Sequence, residues 1–171
     1  MSHVVMLCTG NAARSVMAGA LVSEHIPGIV VATRGTHVIE GMPMSWRTRD
    51  AIHGLGARAD GHRSRQLAAR DLTRADVVIA MAREHVEYVR QRHPDAADRT
   101  GTLKRLARDL PLGAGSLTER VAALGLQDVA LEPWEDVDDP AGGEVEVFHQ
   151  CAVEIHSLLV QLRPVLGGVS V

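Results

Sequence analysis

The sequence predicts an α/β protein: a three-layer sandwich with a four-stranded parallel sheet and helices on both faces. Three observations carry this. Four short β-like runs alternate with stretches of helical periodicity, the order expected of βα units. The first run is apolar throughout, as in a strand buried on both faces of a parallel sheet. A long stripe of apolar residues three and four apart closes the chain. At 171 residues the chain has the size of one domain, taken as residues 1–171, and is long enough to bury a core.

In order, His3–Leu7 is the first strand, and Ser15–His25 follows as a helix with Met17 and Leu21 on one face. Ile29–Thr33 is the second strand, rich in β-branched residues. Ser45–Gly54 reads as a helix opened by a good N-cap, Ser45. Asp76–Met81 is the third strand, and Arg83–His93, with Val86 and Val89 on one side, the helix after it. Thr100–Leu103 is a weaker fourth strand. A polar, Gly-containing connection follows, with a short helix near Leu117–Leu124. The last helix, about Glu144–Leu166, aligns Phe148, Ala152, Ile155, Leu159, Leu162 and Leu166.

Composition narrows the function. Apolar residues make up 46% and charged residues 23%, as in soluble globular proteins. A net charge of −3 gives no basis for a nucleic-acid or membrane partner. Lys104 is the single lysine, and arginine supplies the remaining positive side chains. Two cysteines form no disulfide framework and fit a reducing, cytoplasmic setting. The N-terminus lacks the pattern of a signal peptide, and no apolar run approaches the roughly 20 residues of a membrane helix.

The stretch Cys8-Thr9-Gly10-Asn11-Ala12-Ala13-Arg14-Ser15 falls at the carboxyl end of the first strand, where open α/β sheets bind ligands. Gly10 and Asn11 tolerate positive φ, which a tightly curled loop needs. Such a loop turns backbone N–H groups inward as an anion nest, and the next helix points its positive end at the same place. Arg14 adds a bidentate fork for an oxyanion. These fields favour Cys8 as a thiolate nucleophile, with Ser15 donating a hydrogen bond to the sulfur. A leaving group then needs a proton, and one carboxyl group supplies it and later activates water. The acidic turn "WEDVDDPAGG" offers Glu135, Asp136, Asp138 and Asp139, clustered acids that raise one another's proton affinity. The residues alone leave open which one acts, or whether the turn is merely solvated.

The eight-residue loop resembles the phosphate loop of the low-molecular-weight protein tyrosine phosphatases, which share their fold with thioredoxin-type arsenate reductases. "MAGAL", "VATRGT", "HRSRQL", "ADVVIAMAREH" and "DDPAGG" resemble further segments of that family in the right order. The resemblance implies a flavodoxin-like topology and phosphomonoester hydrolysis through a phosphocysteine on Cys8, of the phosphotyrosine type, without a cofactor or metal. It also implies a phosphorylated protein or small phosphomonoester as substrate, inorganic phosphate or another tetrahedral oxyanion in the loop, and a monomer or weak homodimer. Thr9, Gly10, Asn11, Ala12, Ala13, Arg14 and Ser15 would hold the phosphate. Asp139, which directly precedes Pro140, would be the acid, with Asp138 the second choice. Thr33 would hydrogen-bond Asn11, and His62 and Arg65 would support the loop.

Departures qualify that reading. Ala13 removes the neighbouring cysteine of many relatives, so Cys8 lacks a vicinal thiol and overoxidises more readily. Ala12 gives no support for a phosphoarginine preference, which the family associates with threonine there. Val16 stands for the usual proline. Arg34 would add positive charge near the site. Ala141 and Gly142 stand where the tyrosine phosphatases wall their pocket with aromatics, leaving Trp46 and Trp134 as candidates for a rim. An arsenate reductase using Cys8 with an external thiol and a non-catalytic phosphate-binding module are the alternatives. Cys151 reads as a buried structural cysteine. On a helix it lies on a different face from His149, so His149, Cys151 and His156 are not expected to bind metal. "GLGARADG" has no strand immediately before it and is not a nucleotide site.

Overall fold

A computed structural model describes residues 1–167. Strands β1 (Ser2–Cys8), β2 (Ile29–Gly35), β3 (Val77–Ala80) and β4 (Thr100–Thr102) form one parallel sheet in the order β2-β1-β3-β4. This is the flavodoxin-like order on four strands. The central β1 explains its own sequence. Val4, Met6 and Cys8 pack into one core, and Val5 and Leu7 into the other, so neither face tolerates a polar residue.

Helices α1 (Arg14–His25), α2 (Trp46–His53), α5 (Leu103–Asp109), α6 (Leu117–Ala122) and α7 (Val145–Leu166) line the larger core. Helices α3 (Ala69–Thr73) and α4 (Arg83–Arg92) cover the other face with Leu72 and Val89. The apolar stripe of α7 is buried as its periodicity predicts, with Ile155 and Leu162 at 0% exposure. Helix α1 lies so close to β2 that a Cβ at Gly19 would run into the Thr33 methyl. Gly35, at the end of β2, is pressed in the same way against Thr9 O and Asn11 N. A side chain there would push the loop after β1 out of place.

Most boundaries shift by a residue or two from the sequence reading, and two of the shifts bear on the site. The second strand continues to Gly35, and the fourth stops at Thr102, whose side chain caps α5 by accepting from Arg105 N–H. Helices α3 and α5 were not expected. With 5 and 7 residues they are too short to show a convincing period.

Candidate active site

The loop between β1 and α1 is built around Asn11. It is the only non-glycine residue with positive φ (50°) among the described residues, and it is fully buried. Four hydrogen bonds hold that strained backbone. Asn11 Nδ2 donates to Ser15 Oγ at 2.9 Å, and Asn11 Oδ1 accepts from Arg65 N–H at 2.9 Å. Asn11 O accepts from Ser64 Oγ and His62 Nε2, both at 2.8 Å. Burial pushes the His62 imidazole below its ordinary value, which suits a neutral ring donating its single proton. Farther along, Thr48 Oγ1 at the start of α2 donates to Ala12 O at 3.2 Å. Thr36 and His37 N–H bond Cys8 O and Thr9 O, each at 3.0 Å.

Cys8 is buried at the foot of this loop, and its Sγ lies 3.0 Å from Ser15 Oγ. Because Ser15 Oγ accepts from Asn11, its own proton is left for the sulfur. Arg14 is 3% exposed; Nη1 donates to Val137 O at 2.9 Å, and Nη2 lies 3.2 Å from Asp139 Oδ2. Residues 8–15 and 137–139 are thus one site.

The acidic turn divides into two pairs. Glu135 is fully buried and accepts from Thr102 Oγ1 at 2.8 Å and from Arg105. Asp136 accepts from Arg83 N–H at 2.8 Å and from its guanidinium. Burial pushes both carboxyls up, but their arginine partners outweigh it and hold each below its ordinary value. That is opposite to the mutual raising expected of clustered acids. Asp138 and Asp139 remain exposed to solvent. Of these two, Asp139 is the one paired with Arg14, and its Oδ1 accepts from Ala141 N–H at 3.1 Å. A groove runs outward from Arg14 past Glu84, Glu87, Asp138 and Asp139.

Several residues fall elsewhere than expected. Thr33 does not bond Asn11: it pairs with Met6 in the sheet and turns its methyl to Gly19 on α1, two residues short of the loop. Arg65 supports the loop through its backbone N–H. Arg34 is no rim residue, because Asp71 on α3 takes its guanidinium at 2.9 Å. Trp134 stacks over Arg108 and Arg105, with ring-to-guanidinium distances of 4.2 and 5.3 Å, and does not wall the groove. Trp46 is exposed at the start of α2 beside Arg47. Cys151 is buried, with Sγ 3.8 Å from Asp138 O, and burial pushes its thiol up to about 12. His149 pairs with Asp50 at 2.8 Å. Sequence reasoning missed Ser64, Thr48 and His85. His85 Nε2 lies 2.9 Å from Thr9 Oγ1, and only its place just beyond the third strand pointed to it.

A parallel sheet whose central strand delivers a cysteine into an arginine-closed loop at a helix N-terminus defines an α/β protein built to hold a tetrahedral oxyanion. Residues 3–110 match the profile of the low molecular weight phosphotyrosine protein phosphatases, and the chain belongs to that family. It is similar to a protein-arginine-phosphatase of Geobacillus stearothermophilus, 31% identical over 161 residues that cover 94% of this chain and 93% of the relative. The low molecular weight protein-tyrosine-phosphatase Etp of Escherichia coli K12 is 29% identical over 58% of this chain and 67% of its own. The solved structure of the arginine phosphatase YwlE from G. stearothermophilus superposes with a TM-score of 0.75 at 29% identity, covering 95% of this chain and 91% of the other. The chain is therefore a hydrolase of the phosphatase type. Among the described residues, no helix is long and apolar enough to cross a membrane.

Proposed function

We propose that the protein hydrolyses phosphomonoesters of the phosphotyrosine type through a phosphocysteine on Cys8. The observation that carries this is the chain of contacts Asn11–Ser15–Cys8 beside the Arg14–Asp139 pair. Loop N–H groups and Arg14 bind the phosphoryl oxygens, and the Cys8 thiolate attacks phosphorus from below. The P–O bond to the leaving group breaks while Asp139, in its acid form, protonates the departing oxygen. Asp139 then takes a proton from water, which attacks phosphorus and breaks the P–S bond. Inorganic phosphate leaves, and the Ser15 hydroxyl receives the returning thiolate.

A second reading concerns the leaving group. Ala141 and Gly142 supply no aromatic wall, while Glu84, Asp138 and Asp139 present carboxylates along the groove. Such a mouth favours a cationic guanidinium over a phenyl ring, in line with the similarity to a protein-arginine-phosphatase. Ala12 supplies no hydroxyl to help. For arsenate reduction Cys151 makes a poor resolving thiol, being buried behind Asp138 and held protonated.

The test is turnover of p-nitrophenyl phosphate in EDTA. Cys8→Ser should be inactive, and Asp139→Ala should lose about 10²- to 10⁴-fold in kcat while still binding phosphate. Robust turnover by Cys8→Ser would overturn the mechanism. Matched phosphotyrosine and phosphoarginine peptides decide the leaving group by their kcat/KM ratio.

A further inference from the structure

His85, the third residue of α4, is 1% exposed. Ala82 N–H donates to its Nδ1 at 3.1 Å, so that nitrogen carries no proton. The neutral ring then has its proton on Nε2, which lies 2.9 Å from Thr9 Oγ1 and donates to it. Burial, and then the positive charge of Arg14, push the imidazole down to about 3; His37 adds to this and Asp136 opposes it. One tautomer therefore persists wherever the enzyme would work.

A hydroxyl that accepts from His85 keeps its own proton for another acceptor. Thr9 Oγ1 has only a long contact to Glu84 Oε1, 3.5 Å away, and the Glu84 side chain is largely in water. Glu84 lines the same groove as Arg14 and Asp139. The Thr9 proton thus has no firm partner, and it lies beside a side chain that lines this groove. The arrangement parallels Asn11 and Ser15, where a buried amide fills one side of a hydroxyl and directs its proton to Cys8.

We propose that Thr9 Oγ1 donates to the phosphoryl oxygen facing away from Cys8, and that His85 is a positioning residue acting through Thr9. In an ester this oxygen is the one bridging to the leaving group, so the contact stabilises the charge that develops there as the P–O bond breaks. The proposal rests on the Cys8 phosphate site, and it is read without turnover, by calorimetric binding of inorganic phosphate. Thr9→Val and His85→Phe should each weaken phosphate binding by roughly three- to tenfold, the size of one hydrogen bond. The double variant should be no weaker than either single, because both remove the same contact. His85→Gln, which keeps an N–H near Nε2, should restore most of the affinity and guards against a folding defect in His85→Phe. The imidazole ¹⁵N spectrum should show the Nε2–H tautomer unchanged from about pH 5 to pH 8. Wild-type affinity in Thr9→Val, additive losses in the double variant, or a ring that titrates in that range would overturn the proposal. Normal phosphate binding without turnover of p-nitrophenyl phosphate would overturn the hydrolytic reading alone.

Discussion

Single residues in this site are held by partners far along the chain. Asn11 keeps a φ of 50° because Ser15, His62, Ser64 and Arg65 all bond it. His85 depends on burial in another way. The unfolded chain binds a proton on this imidazole below about pH 6.5, whereas the folded protein refuses it until about 3. Between those values the unfolded state holds more protons, so stability falls as pH drops through the window. Urea unfolding should show a loss of stability from pH 6.5 to pH 5, and His85→Phe should make that fall shallower. His62 shares the direction and accounts for part of what remains. Cys8 and Arg14 were legible in the sequence because they lie within one loop at a strand end. The Thr9–His85 contact was not, since its halves stand 76 residues apart. Thr33 was misplaced because a matching hydroxyl in sequence says nothing about which sheet face it takes.

At the scale of elements, the long strands and α7 announced themselves through period, while α3 and α5 were too brief to do so. Pattern also missed how closely α1 approaches β2. Replacing Gly19 by Ala would ordinarily help a helix by about 1 kcal/mol. Here the added methyl meets the Thr33 methyl, and overpacking of this kind costs about 1–3 kcal/mol. Gly19→Ala should therefore lower the unfolding midpoint, and Thr33→Ser in the same chain, which deletes the obstructing methyl, should recover much of it. Failure of that rescue in chemical denaturation would mean the backbone, not the side chain, sets the spacing.

Across the whole molecule, the site joins the end of β1 to a turn more than 120 residues later, and arginines make the joint. Arg105 on α5 holds Glu135, Arg83 on α4 holds Asp136, and Arg14 holds Val137 and Asp139. Val137 N–H also bonds Met81 O at 2.8 Å, just beyond β3. The arginine-rich composition is in part this set of planar forks. Arg105→Leu should destabilise the fold by about 3–5 kcal/mol, because Glu135 would be left charged and buried. Adding Glu135→Leu should return much of that in urea unfolding. The fold was legible because parallel sheets write themselves as apolar runs. The division of labour among Glu135, Asp136, Asp138 and Asp139 was not, because it depends on which arginine the fold brings near each.

Arg14 has Val137 O on one nitrogen and Asp139 on the other. An arriving anion consequently competes with a carboxylate for a guanidinium, rather than meeting a bare charge. Its measured affinity is a difference between two ion pairs. In the mechanism proposed above the exchange has a direction: an anion that captures Arg14 would set Asp139 loose as the leaving group needs a proton.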